Sequence, residues 1–240
     1  MAQWAACTGD WKAGDPREDH ELMKRFKDRA CYAGLDLSFT TDLTALALVF
    51  PAGDGVFDVL PFFWMAQDRV AERERRDRVP YSQWVREGFI EAGDGNVIDY
   101  ALVKKRLRWA QECFDVREVA YDPYGANQLV TESEQGLQDM GLTCVPIHQG
   151  YRSISEPTKK LLELVTGGKL RHGGNPVLRW NADCLATKSD GNDNIRPVKP
   201  DRQTSSKRID GVVATIMGLA RAMVHQEWHS VYETRGPIFI

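Results

Sequence analysis

The hydrophobic positions of this 240-residue chain fall into blocks of two different periods. From Tyr32, the runs YAGLDLS, TALALVF and VFDVLPFFWMA are almost continuously apolar. They are separated only by TTD and by the turn-rich PAGDG, a pattern that predicts three strands in an antiparallel meander. Beyond residue 95 the pattern changes to strand-helix alternation. NVID predicts a short strand, and Tyr100 to Phe114 places Leu102, Leu107, Trp109, Ala110 and Phe114 at helical spacing among lysines and arginines. REVAYD predicts another strand, the stretch from PYGAN to Met140 a helix, and TCVPI a strand. An antiparallel front joined to a βαβ back is an α/β sheet.

The spacing predicts further helices over 155–165 and 176–186, and a β-hairpin between Thr187 and Arg202 with its turn at Asp190 to Asn194. The last helix is the best signalled. Ile209, Val212, Val213, Ile216, Met217, Ala220, Met223 and Val224 keep the i, i+3, i+4 rule from Ser206 to about His225, with Ser205 or Ser206 as its expected cap. Two segments read as peripheral. Residues 1–30 show no sustained period beyond a short helix near His20 to Phe26, and are expected to be a linker or appendage. Gln67 to Pro80 carries nine charged residues and is expected to be an exposed excursion. The domain expectation is therefore an appendage over 1–30, one folded domain over 31–225 and a tail over 226–240.

Composition narrows the class. With 42% hydrophobic and 27% charged residues, the chain can bury a sizeable core. No apolar run is long enough for a membrane helix. The first thirty residues lack the apolar stretch of a secretory signal, which leads to the expectation of a reducing cytoplasm. The five scattered cysteines form no CxxC pair and are expected to be buried free thiols. Net charge is −3, but it is unevenly spread: residues 1–150 hold 17 basic against 25 acidic side chains, while 151–210 hold 12 against 7. A local basic segment in an acidic protein suits a polyanionic partner.

Three aspartates stand where a carboxylate needs explaining. Asp36 interrupts an apolar strand, Asp122 ends one, and Asp210 opens the last helix among Ile209, Val212 and Val213. Each has an ordinary reading as a turn or helix-cap residue. If neighbouring strands and the last helix bring them to one sheet edge, however, three carboxylates repel one another unless cations bind. Hard divalent ions accept such oxygen ligands, and a pair of them can hydrolyse a phosphodiester. His172 is a weaker candidate for phosphate contact. His225 with His229 is a weak candidate for zinc. Ser38 and Asp42 flank the first strand's end and are secondary candidates for orienting water or metals.

The runs Gly34-Leu35-Asp36-Leu37-Ser38 with Thr41-Asp42-Leu43-Thr44-Ala45, Ala120-Tyr121-Asp122-Pro123-Tyr124-Gly125 with Asn127 and Gln128, Asn175-Pro176-Val177-Leu178-Arg179-Trp180, and Lys207-Arg208-Ile209-Asp210-Gly211-Val212-Val213-Ala214 occur in that order. Over residues 30–225 this resembles the C-terminal nuclease part of tailed-phage terminase large subunits. The resemblance implies a ribonuclease H-like fold with a five-stranded mixed sheet flanked by helices. It implies Asp36, Asp122 and Asp210 as ligands of two Mg²⁺ or Mn²⁺ ions, and Lys207, where some relatives carry histidine, as a phosphate contact. It further implies an endonuclease that cuts double-stranded concatemeric phage DNA in the host cytoplasm. Its partners would be the ATPase domain of the large subunit, the small terminase subunit and the portal protein. The sequence has no GxxxxGK[ST], since Thr166-Gly167-Gly168-Lys169 lacks the flanking residues, so an isolated nuclease domain is expected. Lys188, Arg196 and Lys199 on the hairpin, with Arg208, are the expected DNA contacts. A non-catalytic DNA-binding or assembly module is the alternative.

Overall fold

The computed structural model describes residues 2–37, 43–131, 136–200 and 206–225. Helices α1 (Ala2–Ala6) and α2 (His20–Phe26) lead into strands β1 (Ala30–Asp36), β2 (Thr44–Pro51) and β3 (Phe57–Ala66). A 3-10 turn at Gln67–Arg69 opens α3 (Val70–Asp77) and α4 (Tyr81–Arg86). Strand β4 (Glu91–Gly93), helix α5 (Tyr100–Cys113), strand β5 (Asp115–Tyr121), helix α6 (Pro123–Thr131) and strand β6 (Cys144–Pro146) follow. The chain continues through α7 (Tyr151–Thr166), β7 (Leu170–Arg171), α8 (Pro176–Asp183), the hairpin β8 (Ala186–Ser189) and β9 (Ile195–Val198), and α9 (Asp210–Val224).

The main sheet runs β4-β3-β2-β1-β5-β6, with β7 also pairing β3. Its middle is the expected mixed arrangement: β1, β2 and β3 form the antiparallel meander, while β5 is parallel to β1 and β6 to β5. The two short strands β4 and β7 extend the five expected ones. NVID is not one of them; the strand lies a few residues earlier, and residues 96–99 lead to Asp99, whose carboxylate caps α5.

Side chains alternate between two cores, as a pleated strand requires. On β2, Ala45, Ala47 and Val49 face one core, shared with α7, α8 and α9, whereas Leu46, Leu48 and Phe50 face the other, shared with α2 and α5. Burial on both faces explains why β2 and β3 read as continuous apolar runs. Helix α9 lies directly on β1. A Cβ on Gly34 would fall 1.9 Å from the Ala214 carbonyl oxygen, so only glycine admits the helix backbone there.

Two peripheral expectations are corrected. Residues 1–30 are not an appendage to the core: Trp4, Cys7, Leu22 and Phe26 are buried in it. Phe26 packs its ring 4.7 Å from that of Phe50. Their apolar positions are too far apart to show a period, because each reaches a different part of the sheet. The charged stretch after β3 is also partly scaffold, since Val70, Arg73, Asp77 and Val79 are buried, while Glu72, Arg75 and Arg76 stay on the exposed face of α3. Of the cysteines, Cys7, Cys31 and Cys184 are buried, Cys113 and Cys144 are half-buried, and all are free thiols. No helix among the described residues is long and apolar enough to cross a membrane.

Candidate active site

The parallel ladder between β1 and β5 pairs Gly34 with Ala120 and Leu35 with Tyr121. One residue further, Asp36 ends β1 and Asp122 follows β5, on strands about 4.8 Å apart. Asp122 is half-buried and its Oδ1 accepts a hydrogen bond from Tyr124 N at 3.1 Å, so it also starts α6 in the way its ordinary reading predicts. Asp210 is buried at the first turn of α9, the helix seated on β1.

These placements show in the electrostatics. Burial, followed by the charge of Asp210, pushes the Asp36 carboxyl well above the ordinary carboxylate range. The Lys199 ammonium opposes that push, Asp122 adds to it, and a hydrogen bond from Gln149 Nε2 at 3.3 Å opposes it again. The three aspartates therefore share one electrostatic neighbourhood, with Lys199 and Gln149 at its margin. Gln149 was not evident in the sequence. The available signal was its position just past β6, on the sheet edge that holds Asp36 and Asp122. Among the described residues, no three His, Cys, Asp or Glu side chains are grouped tightly enough to hold a metal ion as they stand.

The basic candidates separate. Lys207 is exposed, three residues before Asp210, and Lys188 is exposed on β8 opposite Arg196 on β9. Arg196 is half-buried, its guanidinium 5.2 Å from the ring centroid of Tyr151. Arg208 does not face the solvent: it is buried and lies 3.7 Å from the fully buried Asp77 carboxylate of α3. Tyr81 of α4 donates to the same Asp77 at 3.1 Å. The run Lys207-Arg208 looked like a surface pair because nothing local reveals that α3 folds back over its second member.

His172 and His225 are held by structural contacts. His172 is buried, its Nε2 is 3.0 Å from the Trp4 carbonyl, its Nδ1 accepts from Gly174 N, and its ring stacks on Trp4. Burial holds its pKa below the ordinary value. His225 stacks on Tyr32 and bonds Glu118 at 3.0 Å. His229, Ser38, Asp42 and the tail 226–240 lie outside the described residues.

The family described as "Terminase large subunit, endonuclease domain" matches residues 20–226. This chain belongs to that terminase endonuclease family. The terminase large subunit of Enterobacteria phage HK97 is 36% identical over 194 residues, covering 81% of this chain and 38% of that protein. The HK97 large terminase crystal structure matches 92% of this chain and 42% of its own, with a TM-score of 0.75 and 33% identity. Protein YmfN of Escherichia coli (strain K12) is 30% identical over 237 residues, covering 95% of this chain and 49% of that protein. The terminase endonuclease chain thus spans less than half the length of either relative. Its fold is also shared by the large terminase nuclease from thermophilic phage G20c solved with bound magnesium, at a TM-score of 0.52 and 12% identity over 82% of this chain and 85% of that one.

Proposed function

We propose that this chain is a two-metal-ion endonuclease that cuts double-stranded, concatemeric phage DNA during genome packaging. The observation that carries the reading is that Asp36 ends β1, Asp122 follows β5 and Asp210 opens the helix seated on β1, with the charges of Asp210 and Asp122 raising the cost of ionising Asp36. A carboxylate cluster of this kind is stable in the ionised form only with cations between its members. The donor set, all hard oxygen, fits Mg²⁺ or Mn²⁺ and not a soft ion. When bound, two such ions supply the acidity that lowers the pKa of an attacking water and the charge that neutralises a departing 3′-oxygen.

The chain's own residues have separate parts. Asp36, Asp122 and Asp210 provide the ligand oxygens, and Gln149 fixes one oxygen of Asp36. Lys207, exposed next to α9, steadies the scissile phosphate. Lys188, Arg196 and Lys199 carry positive charge along the hairpin toward the carboxylates and bind the DNA backbone. The ATPase domain of the large subunit, the small terminase subunit and the portal protein are the proposed partners, in the cytoplasm of the infected host.

The test is incubation of supercoiled plasmid with the protein in EDTA, Ca²⁺, Mg²⁺ or Mn²⁺, with Asp36→Asn alongside. Nicking and linearisation confined to Mg²⁺ or Mn²⁺, and lost in the variant, is the expected result. Intact plasmid from folded protein under every condition would replace this reading with a DNA-binding or assembly module.

A further inference from the structure

Helix α9 carries Asp210 in its first turn, yet its own N-cap residue, Ile209, offers no side-chain hydrogen bond to the helix start. Ser206, four residues before Asp210, does not take that place, and Ser205 lies outside the described residues. The acceptor comes from another element. Asn181, on the last turn of α8, is wholly buried, and its Oδ1 accepts a hydrogen bond from Gly211 N at 2.7 Å. That N–H belongs to the peptide joining Asp210 to Gly211. Holding this peptide plane fixes the direction in which the Asp210 side chain leaves the backbone.

The neighbouring residues make room for this contact. A Cβ on Gly211 would lie 2.8 Å from Asn181 Oδ1 and 2.6 Å from the Phe63 ring, so residue 211 is the one side chain the bond cannot tolerate. Helix α8 is itself anchored: Asn175 Oδ1 accepts from Val177 N and Leu178 N, both at 3.0 Å, and Pro176 occupies its first turn. The Asn181 amide also carries a stability cost, because its Nδ2 is buried with no hydrogen-bond partner among the described residues. A residue serving the core alone would be apolar at this position. A half-satisfied buried amide is retained where conformational specificity matters.

We infer that Asn181 is a positioning residue for Asp210, acting through the Gly211 amide to hold that carboxylate in its metal-binding direction. The inference rests on the endonuclease reading above. It assigns Asn181 no contact with DNA or with the reacting atoms.

Two variants of the full chain test it. Asn181→Leu keeps the branched outline with a larger side chain, removes the acceptor and removes the unpartnered donor, whereas Asn181→Asp keeps the acceptor. Four quantities are measured for each: urea stability, Mn²⁺ affinity by calorimetry, exchange of the Gly211 amide proton, and plasmid cutting across a Mn²⁺ titration. Asn181→Leu is expected to stay folded, to exchange the Gly211 proton at least tenfold faster, to bind Mn²⁺ at least fivefold more weakly, and to cut at least tenfold more slowly at saturating metal. Asn181→Asp is expected to stay within about threefold of the parent. Leu107→Ala, a buried change on α5 in the other core, controls for stability loss and is expected to leave the Mn²⁺ midpoint unmoved. Parental Mn²⁺ affinity and cutting by Asn181→Leu would overturn the inference, as would equal impairment of the Asp and Leu variants. An Asn181→Leu chain that does not fold would overturn it too, by making the amide a requirement of the core. A parent that cuts no DNA would instead overturn the endonuclease reading.

Discussion

Asp36 is expensive in the absence of cations, and that cost makes it testable. Burial and the Asp210 charge raise its pKa, so the metal-free native state holds this proton to a higher pH than the unfolded chain does. The sign follows: this group costs stability as pH rises from the ordinary carboxylate range toward its raised folded value. Asp36→Asn removes the charge and is expected to stabilise the metal-free protein at pH 7 by about 1–2 kcal/mol in urea unfolding, while abolishing cutting. Mg²⁺ should raise the melting temperature of the parent and not of the variant. A variant less stable than the parent would show that the carboxylate is held by favourable partners. At this scale the sequence disclosed Asp36, Asp122 and Asp210, because a carboxylate in an apolar run is conspicuous. It did not disclose Gln149 or Asn181, whose amides are unremarkable until a distant strand or helix arrives beside them. It misplaced Arg208 and His172, whose burial comes from Asp77 and Trp4, partners far away in the chain.

Among the elements, the contact between α9 and β1 is close. Gly34 has the Ala214 carbonyl against it, and a Cβ on Gly218 would meet the Tyr32 carbonyl oxygen at 2.9 Å. Gly34→Ala must push the helix off the strand and is expected to cost about 3 kcal/mol, the upper end for overpacking. It should also slow cutting more than a core change of equal cost elsewhere, with urea unfolding and the plasmid assay read side by side. Helix α3 makes the second prediction. Asp77→Ala takes the carboxylate from beside the buried Arg208 and is expected to cost about 3 kcal/mol in urea unfolding. A loss under 1 kcal/mol would mean that α3 is the loose excursion its charge suggested. Continuous apolar runs revealed β1 to β3, and the 3.6 period revealed α5 and α9. They failed for α3, where arginines and glutamates dominate even though one face is buried.

For the whole molecule, the first thirty residues are built into the fold. Besides Phe26, Arg29 lies 2.9 Å and Arg171 3.0 Å from the fully buried Asp58 at the start of β3, and Asp15 meets Arg106 of α5 through two bonds of 3.0 and 3.1 Å. Removing residues 1–27 is expected to lower the melting temperature by about 10 °C or more, because it uncovers Phe50 and Phe114. Burial opposes ionisation of Asp15, but the hydrogen bonds from Arg17 and Arg106 outweigh it and hold the carboxyl below the usual range. Its contribution is therefore complete above the unfolded carboxylate pKa and is lost as pH falls through the folded one. Acid titration of the parent should show this loss below about pH 4, and Asp15→Asn should abolish that part of it.

The meeting of Gly34 with Ala214 also works as a gauge block. From that touching point Asp36 is two strand residues away, about 6.6 Å, and Asp210 is four helical residues away, about 6 Å in the same direction. The backbones that carry the two aspartates therefore run a similar distance from one contact made of peptide backbone. Nothing at the touching point titrates or dissociates, so the seat of α9 on β1 is expected to keep its spacing when salt or acid changes the charge of the aspartates.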